Sequence, residues 1–234
     1  MYLTRAFLDP TSHAVRADLQ SPESLHKTVQ LAFPDPGSSP RSTHTVLHRL
    51  EHDRWARLIL LIQSRTRPLV DRWPADYALN IGGDLDRAFS NGGENVGENP
   101  AIRDVEAERA ALSVGRRLLF RLRANTTRKV DTKTTTDGVR RGGRRVPVRG
   151  DTARMQWLAR HAETSGFSFD AGSLRISEIA AAGGTGGKQV TVAGALFEGV
   201  LLVRDVVRFR QTLESGIGPA KAYGFGLLSI APAR

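Results

Sequence analysis

Apolar residues in the first third of the chain repeat in patterns that predict a small unit of strands and helices. A helix is predicted to begin at Ser21, because serine is a good N-cap and proline and glutamate follow it in the first turn. Leu25, Val29 and Ala32 recur at helical spacing and predict the face that packs on a core. The predicted elements are strands at 2–8, 46–50 and 58–63 and helices from 21 to a stop at 34–37 and at 71–79.

The second half of the chain predicts a similar series of elements. Residues 118–124 alternate apolar side chains with Arg121 and Arg123, which is typical of a strand with one buried face. Residues 131–145 are polar, basic and glycine-bearing, and predict a mobile hairpin. The remaining predicted elements are helices capped by Asp151 and Asp205, a loop at 183–187, a strand at 190–203 that either continues or turns at 198–199, and a strand at 227–230.

The order strand, helix, strand, strand occurs in both halves. This order favours two α+β domains with antiparallel sheets over a single doubly wound sheet. We expect a first domain at 1–90, a linker or insertion rich in glycine and asparagine at 91–112, and a second domain at 113–234.

Positive charge is concentrated in one stretch of the chain. The 234 residues carry a net charge of +10, and residues 116–149 alone hold twelve Lys or Arg against two Asp. Charge gathered in this way is typical of a protein that binds a polyanion. The chain has no cysteine, and its longest apolar run, at 58–62, is far too short to span a membrane. These features predict a cytoplasmic protein without a membrane partner.

A glycine-rich stretch at 216–226 is the most distinctive local motif. It is not a dinucleotide fingerprint, because Lys221 stands where the third glycine is needed. It is not a Walker loop, because neither the glycine spacing nor the required Lys-Ser/Thr pair is present. Two roles remain open. The glycines, among them Gly216 and Gly218, bring backbone N–H groups and Lys221 close to a phosphate, or the loop packs two elements together.

The histidines offer two candidate sites. His44, His48 and His52 are spaced like metal ligands on a helix, but they fall on a predicted strand where they do not converge, so metal binding is not favoured. His26 lies early on the predicted helix, beside its apolar stripe, and Lys27 follows it. From the residues alone a structural or exposed role for His26 is the more common one.

Several segments, in order along nearly the whole chain, resemble the CasE family of type I-E CRISPR endoribonucleases. The block near the C-terminus is the most specific of them. The matching segments are Met1–Thr4, Ser24–Lys27, Phe120–Asn125, Arg144–Val148, Phe197–Gly199 and Gly216–Pro232.

The resemblance implies two tandem ferredoxin-like, RRM-like domains. It also implies an enzyme that cuts CRISPR repeat RNA at the base of a hairpin without a metal or other cofactor. Attack by the RNA 2′-hydroxyl then leaves a 2′,3′-cyclic phosphate and a 5′-hydroxyl. The resemblance further implies that the enzyme keeps its product and joins the other subunits of Cascade; we expect a monomer when it is free.

By the same resemblance His26 is the expected catalytic residue, with Lys27 and Lys221 as candidates for charge stabilisation. The family often has tyrosine at the position of Glu23, and this carboxylate either orients the imidazole or repels the phosphate. The family also often has proline at the position of Thr126. The alternatives are a non-catalytic subunit that binds hairpin RNA and a metal-dependent nuclease. The predicted RNA-binding residues are Arg121, Arg123, Arg128, Lys129, Arg140, Arg141, Arg144, Arg145, Gly216 and Gly218.

Overall fold

The computed structural model describes residues 1–34, 43–80, 98–130, 143–183 and 190–233. In chain order the N-terminal elements are β1 (Tyr2–Phe7), α1 (His13–Gln20), α2 (Pro22–Leu31), β2 (Leu47–His52), β3 (Leu58–Ser64), β4 (Ala101–Asp104) and α3 (Glu106–Ala110). The four strands form one antiparallel sheet in the order β2-β3-β1-β4. This is the strand order of a ferredoxin-like sheet.

The C-terminal elements repeat this arrangement with two additions. In chain order they are β5 (Arg117–Ala124), β6 (Thr127–Val130), β7 (Arg144–Pro147), α4 (Asp151–Thr164), β8 (Phe167–Phe169), β9 (Arg175–Gly183), β10 (Val190–Val203), α5 (Val206–Ser215) and β11 (Leu228–Pro232). The main sheet has the order β11-β5-β10-β8, again antiparallel. The additions are β9, which pairs antiparallel with residues 190–198 of β10, and a separate two-stranded β6–β7 pair. The predicted α+β class with antiparallel sheets is confirmed.

Some predicted elements were wrong in detail. The predicted helix at 71–79 is a single 3-10 turn at Val70–Arg72, because Trp73 precedes a proline and is extended at ψ 160°. The helix α1 was not predicted. The expected linker at 91–112 contains β4 and α3, and β4 is an edge strand of the N-terminal sheet.

Three expectations in the C-terminal part also change. β10 continues through Glu198 and Gly199, so the chain does not turn there. Asp151 is the first helical residue of α4, and the N-cap is Gly150 at φ 80°. Strands β6 and β7 pair with each other on either side of residues 131–142. Residues 131–142, which make up most of the predicted basic hairpin, lie outside the described residues, as does most of the predicted loop at 183–187. The division into two domains stays a prediction.

The two sheets are joined by a buried arginine. Arg49 on β2 is 2% exposed, and its guanidinium donates to the carbonyl of Leu227 at 3.2 Å and to Ser229 Oγ at 3.0 Å. Its Nε donates to Glu51 at 2.8 Å, and burial lowers the pKa of Arg49, while Glu51 opposes this. Strand β2 therefore meets the β5–β11 side of the second sheet. No helix in the part of the chain that the structure describes is long and apolar enough to cross a membrane.

Candidate functional site

The helix that carries His26 is fixed at its start. Ser21 is the N-cap, its Oγ accepts from the Ser24 N–H at 3.2 Å, and Pro22 occupies the first helical position. Leu25 and Val29 are buried on the inner face of α2. His26 lies at the flank of that face and is half-buried, so its imidazole is held by packing but is still reached from outside.

A second histidine packs against the first. His48 on β2 is 1% exposed, and its ring centroid lies 6.3 Å from that of His26 with the two planes inclined by 25°. His48 is in register with Ile62, a core residue, on the sheet face that α1 and α2 cover. Since side chains alternate along a strand, Arg49 points to the other face, towards the second sheet.

A loop from the far end of the chain completes this site. The short 3-10 turn Lys221–Tyr223 packs against α2 and β2, and its Lys221 is half-buried. Gly224 follows at φ 78°, and a Cβ there would lie 3.7 Å from the His48 ring. The left-handed backbone favours glycine at this position, and the 3.7 Å distance corresponds to ordinary van der Waals contact. The structure thus brings together His26, His48 and the Lys221 turn.

The other glycines of this loop pack between elements. A Cβ on Gly216 would lie 2.7 Å from the Gly226 carbonyl oxygen and 2.9 Å from a methyl group of Leu47. A Cβ on Gly218 would lie 3.2 Å from the Trp157 ring. Of the two roles left open for this loop, packing is the one that these contacts support. RNA contact by Gly216 and Gly218 stays a prediction.

Glu23 and Lys27 form an ion pair on the outer side of α2. Their charged atoms lie 3.5 Å apart, and both side chains are more than half exposed. The carboxylate that replaces the family's frequent tyrosine therefore faces Lys27. Its orienting role towards His26 stays a prediction.

The β6–β7 pair presents exposed positive charge. Arg128, Lys129 and Arg145 are all exposed, and Lys129 stands directly opposite Arg145 in the strand register. Like charges in directly opposed positions destabilise a strand pair, and a bound polyanion relieves this repulsion. Arg144 belongs to β7, whereas Arg140 and Arg141 lie outside the described residues.

Arg121 and Arg123 face the junction of the two sheets. Arg121 donates to Glu198 at 2.8 Å and to Glu51 at 3.3 Å. Burial lowers the pKa of Arg121, but these two carboxylates raise it by more, so the net shift is upward. The Arg123 guanidinium lies 4.7 Å from the Phe225 ring centroid, and burial together with Arg49 lowers its pKa. Contact of Arg121 and Arg123 with RNA stays a prediction.

The histidine series does not form a metal site. His44 is engaged elsewhere, with its ring nitrogens 2.7 Å from Thr66 Oγ1 and 3.0 Å from the Pro34 carbonyl oxygen. Among the described residues no group of three or more His, Asp or Glu side chains is placed to hold a metal ion. His48 was considered only as a ligand in this series. Its position on the inward face of β2 was the signal that could have pointed to a core role.

Comparison with known proteins identifies the family. Residues 1–232 match the protein family described as CRISPR associated protein. The CRISPR-associated endoribonuclease Cse3 of Thermus thermophilus is 31% identical over 99% of this chain and 100% of its own length. The Cascade subunit CasE of Escherichia coli is 36% identical over 52% of this chain and 61% of its own.

Solved structures agree with this match. A structure of the CRISPR endoribonuclease Cse3 bound to a 19-nucleotide RNA has a TM-score of 0.76 and 30% identity, covering 99% of this chain and 100% of that one. A second, of Thermus thermophilus Cse3 with an RNA representing a pre-cleavage complex, has a TM-score of 0.74 and 30% identity, covering 99% and 98%. The chain therefore belongs to the family of CRISPR associated proteins. Its relatives within that family are the Cse3 and CasE endoribonucleases.

Proposed function

We propose that this protein is an endoribonuclease that cuts CRISPR repeat RNA at the base of a hairpin and keeps the product within Cascade. The observation that carries the proposal is the packing of the Lys221 turn against the helix that carries His26, in a chain 31% identical over 99% of its length to Cse3. The exposed β6–β7 pair offers the positive surface that such a substrate needs. The other Cascade subunits are the protein partners, the free enzyme is a monomer, and its location is cytoplasmic, where the RNA transcript is made.

In the proposed reaction the 2′-hydroxyl attacks the adjacent phosphorus. The new O2′–P bond forms as the P–O5′ bond breaks, which leaves a 2′,3′-cyclic phosphate and a 5′-hydroxyl. One proton leaves the 2′-oxygen and one is delivered to the 5′-oxygen. An imidazole is suited to either transfer because histidine titrates near neutral pH. We assign His26 to this proton transfer because it is partly exposed, whereas His48 beside it is buried.

The lysines supply charge around that histidine. Lys221 belongs to a turn packed on α2, where a positive charge would stabilise the phosphate as its negative charge develops. Lys27 is exposed beside His26 and is paired with Glu23. We assign Glu23 the role of fixing Lys27, so that exchange of the ion pair for an RNA phosphate regulates access of that lysine to the substrate.

His48 has a different part in this proposal. It is buried and therefore does not touch RNA, so we assign it as a positioning residue that holds the His26 ring by stacking. The Gly224 backbone lies against the His48 ring on the side of the Lys221 turn.

RNA binding is assigned mainly to the β6–β7 pair. A-form RNA is recognised by shape and backbone more than by base sequence, and exposed Arg128, Lys129 and Arg145 fit phosphate contacts. The remaining predicted RNA contacts, at Arg140, Arg141 and Arg144, belong to the same segment. Arg121 and Arg123 are paired with protein groups at the sheet junction and are proposed to contact RNA only secondarily.

The test is cleavage of a labelled CRISPR repeat hairpin in excess EDTA, with wild type beside His26→Ala. We expect the wild type to cut and to leave a 2′,3′-cyclic end, and the variant to lose on the order of 10²–10⁴ in rate with little change in hairpin affinity. His13→Ala is the matched control, because it removes an exposed histidine on α1 that has no part in the proposed site.

Three results would contradict the assignment. Cleavage that needs added magnesium would replace it with a metal-dependent nuclease. Tight binding without cleavage by the wild type would indicate a hairpin-binding subunit without catalysis. Loss of binding and cleavage together in His26→Ala would make this histidine structural.

A further inference from the structure

The turn between β2 and β3 is held rigid by one carboxylate. Asp53 Oδ1 accepts from the backbone N–H groups of Trp55 and Arg57, each at 2.9 Å. Asp53 Oδ2 accepts from Arg57 Nε at 2.7 Å. Ala56 adopts a positive φ of 60°, which closes the turn. The side chains at this tip are therefore presented in a fixed arrangement.

Guanidinium groups and aromatic rings alternate from this tip down to the sheet. The Arg54 guanidinium lies 3.8 Å from the Trp55 ring centroid, and that of Arg57 lies 4.7 Å from it. Arg57 is also 4.3 Å from the Phe7 ring centroid, over which Arg5 lies at 5.0 Å. Phe7 is buried, whereas Trp55 is 41% exposed and Arg54 is exposed. We call Arg5, Phe7, Arg54, Trp55 and Arg57 the stacking platform.

We propose that the stacking platform is a second RNA site, which binds single-stranded nucleotides flanking the repeat hairpin. Proteins bind single-stranded nucleic acid by stacking bases on aromatic rings and arginine planes beside positive charge. Cation–π pairing already orders the outer indole and guanidinium, so a base can add to the stack at little entropic cost. The choice of RNA as ligand rests on the proposed function.

The position of the platform separates it from the cleavage site. His48 lies near the start of β2, and the turn begins five residues later at Asp53. A strand rises about 3.3 Å per residue, so the turn is roughly 16 Å from His48 along the sheet edge, and Arg5 and Phe7 lie on the sheet face opposite to His48. A short single strand leaving the base of the hairpin can span that distance. The platform is therefore suited to hold RNA next to the cut without taking part in it.

The composition of the tip favours RNA over a protein partner. The platform contains three arginines, and the carboxylate of Asp53 pairs with one of them, Arg57, so the platform together with Asp53 carries a net positive charge. Trp55 is the one large apolar side chain exposed among residues 53–57, all of which the structure describes. Protein interfaces instead deplete charge at their centre and gather apolar area there.

The experiment compares three labelled, uncleavable RNAs: the bare hairpin, and the hairpin with about five uridines added at its 5′ or its 3′ end, a length within the usual site size. We expect one extension to improve wild-type affinity roughly tenfold, the effect of one or two stacked bases. Trp55→Ala should remove this gain and leave bare-hairpin affinity unchanged, and it should cut the unmodified, cleavable hairpin at the wild-type rate. Trp55→Phe should keep most of the gain.

Arg54→Ala should reduce the gain, while Arg16→Ala, which removes an equal exposed charge from α1, should not. Tryptophan fluorescence should be quenched by the extended RNA in the wild type. Trp55→Phe should show no quenching, because its remaining tryptophans, Trp73 and Trp157, are buried. The inference is overturned if neither extension improves affinity, if the gain survives Trp55→Ala, or if that variant weakens only binding to a Cascade protein. If the extension improves affinity but the wild type does not cleave the cleavable hairpin, the proposed function is contradicted while RNA binding by the stacking platform is supported.

Discussion

Two stacked imidazoles with unequal exposure imply unequal roles. His26 is half-buried at the flank of α2, and His48 is 1% exposed beneath it. Under the proposed function, the partly exposed His26 ring contacts the phosphate and the buried His48 ring acts through it. Substitutions of His48 should therefore change the cleavage rate more than the binding of RNA.

We expect His48→Ala to lower the single-turnover rate constant of cleavage about tenfold or more with little change in the half-saturation constant, because a loosened His26 ring loses its productive geometry. His48→Phe, which keeps an aromatic ring beside His26, should recover most of the loss. Single-turnover kinetics on the repeat hairpin give both constants. Equal loss in the Ala and Phe variants would show that stacking is not the role of this residue.

The buried pair of Tyr77 and Asp18 secures the start of α2, the helix that carries His26. The Tyr77 hydroxyl donates to Asp18 Oδ2 at 2.7 Å, and Ser24 in the first turn of α2 donates to Oδ1 at 2.6 Å. A hydrogen bond to a buried charged group contributes about 1.5–3 kcal/mol. Tyr77→Phe should therefore lower the free energy of unfolding by roughly this amount, as measured by denaturant titration.

The same pair predicts a pH dependence with a definite sign. Burial and the neighbouring Asp18 carboxylate raise the pKa of Tyr77 above the ordinary value of 10.0. Above that value the unfolded chain loses the phenolic proton while the folded chain keeps it, so stability falls as pH rises beyond 10. Tyr77→Phe should lack this part of the alkaline decline. An identical pH profile in both proteins would contradict the assignment.

At the scale of elements, the β6–β7 pair is the clearest candidate for phosphate contact. Lys129 stands opposite Arg145, and both are exposed. Each phosphate contact that is lost should reduce the slope of log affinity against log salt by about 0.7–0.9. We expect this reduction in Lys129→Gln and none in Arg16→Gln, as measured by hairpin binding between low and moderate salt. Equal slopes in the two variants would remove Lys129 from the interface.

Most elements were predictable because their signals are local. The cap of α2 at Ser21 and the alternation in β5 are properties of neighbouring residues, and the structure confirms both. The edge strand β4 was missed because a four-residue strand next to a glycine-rich stretch has too short a pattern to be recognised. Of the two alternatives at 198–199, the strand continues, because pairing on both sides of β10 outweighs the low strand preference of Gly199.

At the scale of the whole molecule, the sheet junction depends on a charge buried between the two halves. Arg49 donates to Glu51, Leu227 and Ser229 from a position 2% exposed. Removing one partner of a buried pair costs roughly 3 kcal/mol or more. Arg49→Met should lower stability by about this amount, measured by urea unfolding beside Arg16→Met, which should be near neutral. A near-neutral Arg49→Met would show that the junction is held by other contacts.

The assembled site could not be predicted from the sequence, because its parts are distant in the chain. His26 resembled its family counterpart within a short motif, but the contact of His48 with His26 depends on the fold of the first sheet. The approach of the Lys221 turn to α2 depends on how the two sheets meet. Neither relation leaves a local pattern. Arg121 and Arg123 were likewise placed on one strand face correctly, but the carboxylates facing Arg121 come from β2 and β10.

The placement of the Lys221 turn against α2 also has a consequence for synthesis on the ribosome. Residue 26 leaves the exit tunnel early, whereas residues 221–224 are among the last that the structure describes. A nascent chain, or one released prematurely before residue 221, carries the histidine pair without the turn that encloses it. The complete site is thus assembled only after nearly all of these residues have been translated.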